Sequence, residues 1–540
     1  MSKYLFLDSF YSQLYSPETI PYFKSSDVEY WLHPNHFSAW ISQTPTFENI
    51  ESQIKHKSKT YQNRSLISSV LKRQYQKAKI SVLQEKNLNS IAQTNGFTVI
   101  CAHQPILFTG PLYFIYKICS TIALTHSLKA KFPQYEFIPI YYCGAEDHDM
   151  EEIGQVRLFH KRFQWNVNEK KASGRLSVSG LDNLIEELDE MFQRELFAKP
   201  LISKLKEIAQ DSSTYVDFYK ELIDELFRDY GLLFFNPDDL DCKTAFAPIM
   251  IKEIQEQFTL KLSTETSGSL YSKTGEVQAH ARDYNLFYLD KQGNRDRIIK
   301  DKDNFKTHDG EMLGDQNSLA TLIQNHPQDF SPNVLIRPLY QEFLFPNLVF
   351  VGGGSEIQYW MQLKSCFEFN NISFPLLYRR MSAQFIENTT LKKLKNLKID
   401  FTSCLKSLEL SQKEFVIRNS NSIDYVQSFL NQWKDAWKKL TDSLSPLDPQ
   451  YKTILEVEHT KLTQGMLHLE QKIQKHDKLK LEGELKQLEA IYSQLFPDGG
   501  LQERNQGGLA YYFKFGPQWI QFLIDTAKSC DNHFVVYQTQ

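Results

Sequence analysis

No Cys-x-x-Cys pair occurs in this chain, and its seven cysteines are an odd number scattered from Cys101 to Cys530. That excludes a disulfide framework and a thiolate zinc site, so no zinc is expected. No apolar run approaches the roughly 18–20 residues that cross a bilayer. The opening MSKYLFLDSFYSQLY has acids and polar breaks within its apolar part, which does not suit a signal peptide; a cytoplasmic location is the expectation. Charge of one sign is also lacking. Lys plus Arg is 61 and Asp plus Glu is 65, a net of −4, which gives no electrostatic case for nucleic acid or an anionic membrane as main partner. There is no internal repeat, no low-complexity tract, no G-x-S-x-G elbow and no Ser-His-Asp order.

What is present is an α/β pattern. At 540 residues the length prior allows about two to four domains. Residues 1–45 are irregular and aromatic and read as a segment wrapping a core; residues 47–94 read as polar helix stopped near Gly96. Phe97–Ala102 is a short β-branched run, as in a strand buried on both faces. Thr109-Gly110-Pro111 reads as a helix start, with Thr as the cap. Leu112, Ile115, Cys119, Ile122 and Ala123 recur at helical spacing, with a stop at Phe132-Pro133. Phe137–Cys143 is the next strand. A second unit of this kind has a strand at Asn347–Val351, a glycine turn, a helix through Trp360, and a strand at Ser373–Tyr378. Strands of a parallel sheet point one way, so the polar groups after each emerge at one edge, where open α/β sheets bind ligands.

The expected architecture is therefore a Rossmann-like parallel-sheet core over 1–382. Residues 262–310 read as a small β-rich insertion of antiparallel hairpins, with turns at Lys273-Thr274-Gly275 and Lys291-Gln292-Gly293-Asn294. Beyond 383 the apolar seams Val426–Leu444 and Leu462–Ile473, with an eight-residue step from Ile473 to Leu481, predict an antiparallel coiled-coil arm with a one-residue skip, to about 500. Residues 501–540 close the chain.

Three constellations carry candidate chemistry. His103-Gln104, with Thr109 and Gly110, lies between strand and helix, where backbone N–H groups and the helix dipole favour an anion; His103 can stabilise charge on a transferring phosphate or act as an acid, or be a loop histidine with a structural hydrogen bond. Glu146-Asp147-His148-Asp149, with Glu151 and Glu152, can hold Mg²⁺, bind an amine or supply a general base, or be a solvated acidic loop. Gly352-Gly353-Gly354 before Glu356 allows close approach of a nucleotide, or tight strand–helix packing; it is neither a Walker motif nor G-x-G-x-x-G. Around it, Arg337 and Arg379 are candidate carboxylate or phosphate clamps, with Gln341 and Tyr359 as neighbours.

HQPILFTGPLYFIYK, AEDHDMEEI, FSPNVLIRPLYQEFLFPNLVFVGGGSEIQYWMQLK and FPLLYRRMS, in that order and followed by long helices and Gln502-Glu503-Arg504, resemble the BshC family, the cysteine-adding enzymes of bacillithiol biosynthesis. The resemblance covers nearly the whole chain. It implies a ligase that joins L-cysteine to glucosaminyl-malate through an amide, as a homodimer supported by the coiled-coil arm. Amide formation from a free carboxylate is uphill in water, so ATP (or ADP as its product) with Mg²⁺ is the expected cofactor, acting through an adenylate or acyl phosphate. On this reading His103, Asp147 and His148 are catalytic; Gln104, Glu146, Asp149, Arg337, Gln341, Tyr359 and Arg379 bind substrate; and Thr109, Gly110, Gly352, Gly353, Gly354 and Glu356 bind the nucleotide. The His-x-Gly-His and Lys-Met-Ser-Lys-type motifs of adenylating synthetases are absent. Two other classes stay open: a different ATP-dependent ligase or nucleotidyltransferase, and a metabolite-binding coiled-coil scaffold without turnover.

Overall fold

The computed structural model describes residues 10–167, 169–530 and 532–539; the first nine residues of the opening segment read above lie outside these. Two units are resolved, one holding residues through Gln384 and Glu503–Tyr537, the other Phe385–Gln502.

The first unit is built on five parallel strands. These are β1 (Gly96–His103), β2 (Glu136–Cys143), β3 (Leu233–Phe235), β4 (Asn347–Gly352) and β5 (Leu376–Arg379), in the spatial order β5-β4-β1-β2-β3. Val99, Ile100, Ile138, Ile140, Val349 and Phe350 are fully buried, which is why these strands read as continuous apolar runs rather than alternating ones. The helix after β1, Leu112–Lys131, is buried on nearly all sides; a helix apolar all round belongs inside a core, and here it lies between the sheet and the helix Pro517–Ala527. It starts after Pro111 with no side-chain cap, so Thr109 is not its N-cap. It stops at Lys131, as Pro133 dictates. Residues 47–94 form three helices, and Gly96 opens β1 instead of closing a helix.

The insertion is real, and its start differs from expectation. Phe258–Thr274 is one helix ended by Gly275 at φ +74°, so Leu270 and Tyr271 are helical and Lys273-Thr274-Gly275 is a helix stop. Ser and Thr dilute the apolar pattern of that helix and disguise its period. The antiparallel sheet begins at Leu286 and runs to Pro332, in the order 312–315, 304–307, 295–301, 286–289, 330–332. Lys291-Gln292-Gly293-Asn294 is a hairpin turn: the Asp290 carboxylate accepts from the N–H of Gln292 and Asn294, and Gly293 takes φ +86°.

In the second unit the helices Asn421–Leu444 and Pro449–Lys480 pack antiparallel, with Trp433 stacked on His459 at 5.1 Å and Gln427 bonded to Glu470. The seam is interrupted between Leu444 and Pro449, and Pro449 starts the second helix after the Asp448 cap. The heptad skip has a physical counterpart: the long helix breaks at Leu481 (φ −100°, ψ 16°) and a new one runs Glu482–Leu495.

Candidate active site

In the parallel sheet the strand order reverses between β1 and β4, and their C-terminal ends open a crevice there. A cavity of about 1220 Å³ fills it, lined by His103, Gln104, Glu146, Asp147, His148, Asp149, Arg337, Gly353, Gly354, Glu356 and Tyr359. Residues 250 positions apart thus meet, and the volume exceeds the usual single-ligand range of roughly 300–1,000 Å³. Thr109, Gly110, Gln341, Gly352 and Arg379, also expected at the site, do not line it.

Their placement explains why. Phe108, Thr109 and Gly110 all have positive φ, and Gly110 at φ +62°, ψ −153° occupies a region open essentially to glycine alone. This strained loop is buried and pinned by residues 506–508, which bond Gly110 and Leu112. Arg379 lies behind the glycine turn in a buried bidentate pair with Asp27, at 2.9 and 3.0 Å. The same carboxylate explains Gly354: a Cβ there would sit 2.1 Å from Asp27 Cγ. Gln341 is fully buried and accepts from Arg337 Nη1 at 3.0 Å, while Tyr359 accepts from Nη2 at 2.9 Å. Together they hold the Arg337 guanidinium in the cavity wall.

His103 ends β1. Its Nε2 is 3.2 Å from the Tyr113 hydroxyl, and its ring packs on Tyr113 and Phe114. Burial, with Lys117 and Arg380 nearby, pushes its pKa well below the usual histidine value. It is neutral at pH 7, a hydrogen-bonding group rather than an imidazolium acid.

Lys117, fully buried on the central helix, ties the two halves together. Its Nζ donates to Ala102 O at 2.9 Å and pairs with Glu356 Oε2 at 2.7 Å; that carboxylate also accepts from Gly353 N at 2.9 Å. Glu356 therefore uses an N–H that a phosphate would need, and the glycine turn is no phosphate cradle on its own. The cation beside it fits an anion better. Arg380 bonds Glu503 through Nη1 and Nη2 at 3.2 and 2.8 Å, yet its buried Nε has no partner, and a Cβ on Gly353 would stand 3.5 Å from that atom. Arg504 lines the same end.

The acidic cluster follows β2 and divides its labour. Glu146 pairs with buried Lys243 at 2.8 Å. Asp149 caps Met150–Ile153, accepting from Glu151 N and Glu152 N. Gln104 Nε2 donates to both Asp147 and Glu152, at 3.2 Å each. Burial and the neighbouring Asp147 and Asp149 charges raise the pKa of Glu152, which makes it a stronger base than an ordinary carboxylate. Among the described residues one cluster, Asp296, His308 and Asp309, brings three metal-ligating atoms within 4.8 Å; none of its members lines the cavity. All seven cysteines are buried and none is in a disulfide, and burial lifts Cys101 to about 11.

Several lining residues escaped the sequence reading. Lys117 had a signal, a single lysine inside the apolar run 112–124. Arg295 and Arg297 had none, because nothing in a hairpin's pattern tells which face meets the core.

Comparison with known proteins agrees with this architecture. The model of the "Bacillithiol biosynthesis BshC, N-terminal Rossmann-like domain" matches residues 18–381, and that of the BshC "C-terminal coiled-coil domain" matches 383–539. Proteins named "Putative cysteine ligase BshC" from Flavobacterium johnsoniae and Christiangramia forsetii are each 34% identical to this chain over 96% of its length, covering 98% and 97% of their own. One from Lysinibacillus sphaericus is 24% identical over 94% of this chain and 97% of its own. With both domain models matched in order and relatives aligned end to end, the chain belongs to the BshC family of bacillithiol biosynthesis.

Proposed function

We propose that this protein is the cysteine ligase of bacillithiol synthesis, forming the amide between the L-cysteine carboxyl and the amine of glucosaminyl-malate in the last step. One observation carries the reading: a single cavity at the switch point joins a carboxylate pair, Asp147 and Glu152, to arginines from separate segments of the chain, Arg295 and Arg297, Arg337, Arg380 and Arg504. An amine arriving as ammonium needs a carboxylate to hold it and take its proton. The Asp147–Glu152 pair, oriented by Gln104, fits that task. Neutral His103 donates or accepts a hydrogen bond at the reacting carboxyl, and Arg337 orients carboxylate. A nucleotide, when bound, would supply the activation that amide formation requires; the unpartnered Arg380 Nε and Arg504 would hold its phosphates. Incubation with cysteine, glucosaminyl-malate, ATP and Mg²⁺ followed by mass spectrometry tests the reading. Bacillithiol with nucleotide hydrolysis is the expected result. Product from a different amine points to another ligase, and metabolite binding without turnover to a scaffold.

We further propose a homodimer. Phe429, Leu440, Leu462 and Leu469 leave apolar surface exposed along the arm, as suits packing against a second copy; sedimentation of the purified chain tests it. No described helix is long and apolar enough to cross a membrane.

A further inference from the structure

Two arginines of the inserted sheet line the cavity with no carboxylate in hydrogen-bond reach among the described residues. Arg295 and Arg297 are two residues apart on the strand Arg295–Asp301, so both project from one face. Both line the cavity. Their partners in register are Leu289 and Phe287. The Arg295 side chain is 6% exposed, with its guanidinium 3.7 Å over the Phe287 ring. Its Nε donates to Ser331 Oγ at 3.1 Å and its Nη2 to Pro332 O at 3.0 Å. The Asp147 carboxylate oxygen is 3.9 Å away, beyond hydrogen-bond reach. Burial pulls Arg295 below the usual arginine pKa, the sign of a cation the protein desolvates more than it neutralises. Arg297, half-buried, makes no side-chain hydrogen bond or ion pair among the described residues.

His148 joins them. Arg295 Nη1 is 3.1 Å from His148 Nδ1. A guanidinium only donates, so Nδ1 accepts and the ring proton sits on Nε2. Burial and Arg295 lower the pKa of His148, so at pH 7 it is a neutral N–H donor. That removes it as a base and adds a third donor to the two arginines.

We propose that Arg295, Arg297 and the Nε2–H of His148 form a carboxylate-binding pole that recognises the dicarboxylate end of the amino-sugar acceptor, an assignment that rests on the ligase reading. The planar guanidinium of Arg297 can meet a carboxylate in a bidentate manner, while Arg295, its nitrogens already bonded to Ser331, His148 and Pro332, adds positive charge beside it. Asp147 at 3.9 Å disfavours a dianionic phosphate more than a monoanionic carboxylate. The pole places the acceptor's anionic end on the inserted sheet and its amine toward Asp147 and Glu152.

Arg297 is the residue to change, since it supports nothing in the fold. Calorimetric titration of the full chain with L-malate, and separately with inorganic phosphate, is compared for wild type and Arg297→Gln. Malate affinity falls roughly 10–100-fold and phosphate affinity holds. In turnover, KM for glucosaminyl-malate rises by a similar factor, while kcat and the KM for cysteine hold; Arg297→Lys restores part of the loss. Unchanged malate affinity in Arg297→Gln, a loss of phosphate rather than malate binding, or a wild type that binds no malate overturns the proposal. If malate binding is lost in the variant but wild type makes no amide, the ligase reading falls and the pole stands. If wild type makes the amide and the variant keeps its KM, the pole falls and the ligase stands.

Discussion

The two walls of the cavity treat buried charge differently. On the parallel-sheet wall three cations close on carboxylates: Lys117 on Glu356 at 2.7 Å, Arg380 on Glu503 at 2.8 Å, and, behind the turn, Arg379 on Asp27 at 2.9 Å, while Arg337 is held by neutral Gln341 and Tyr359. On the inserted-sheet wall, among the described residues, Arg295 has only Asp147 at 3.9 Å, and Arg297 makes no ion pair. Burial of an arginine therefore does not mark it as a ligand-binding group. A buried pair is a closed device that fixes a loop; a cation without a paired carboxylate is a candidate receptor.

The contrast can be broken by mutation. The largest effect is expected at the closed pairs. Glu503→Gln strands a buried guanidinium and should cost about 3–5 kcal/mol of stability, read from denaturant midpoints; a loss below 1 kcal/mol would reject the pairing as structural. Next comes Asp147→Asn, together with Glu152→Gln. Each should lower the rate of amide formation roughly 10²–10⁴-fold with the fold intact by circular dichroism. Because burial and neighbouring charge raise the Glu152 pKa and the base must be ionised, the wild-type rate should fall on acidification at a higher pH than an ordinary glutamate would give.

The glycine turn offers a smaller and sharper test. Gly354→Ala drives a methyl into the Asp27 carboxylate that Arg379 holds, at about 1–3 kcal/mol. Gly353→Ala meets nothing closer than 3.5 Å and should change stability by about 0.5 kcal/mol or less. A smaller effect again is expected from His103, and its sign follows from linkage. The folded-state pKa lies well below the usual 6.5, so below that pH the unfolded chain binds a proton that the folded chain refuses. Wild type should lose stability relative to His103→Gln as pH falls below about 6.5, with no such slope above pH 7. Smallest of all, Arg297→Gln should leave the denaturation midpoint within about 0.5 kcal/mol of wild type, the opposite of Glu503→Gln on the facing wall.

Much of this was legible in the chain. The two strand–turn–helix–strand units stood out because parallel strands buried on both faces are unbroken apolar runs, and His103, Asp147 and Gly353 fell at strand ends that a parallel sheet gathers on one rim. The heptad skip at Leu481 was legible because a coiled coil is a local pattern. Pairing across distance was not. Arg379 and Arg380 are neighbours with the same chemistry, but one faces Asp27 and the other Glu503, 352 and 123 positions away. Strand alternation sends consecutive residues to opposite sides, and only the fold says which side is the cavity. The same holds for Arg295 and Arg297, whose face lines the cavity. Asp149 shows the converse: in sequence it looks like its acidic neighbours, and its carboxylate is spent on a helix cap.

The most direct test of one cavity with two adjoining poles of opposite charge is a crystal structure of the protein with glucosaminyl-malate bound. The account predicts the amine within hydrogen-bond reach of Asp147 or Glu152 and a malate carboxylate on Arg297. A ligand bound in the reverse orientation, or outside the crevice between β1 and β4, would contradict it.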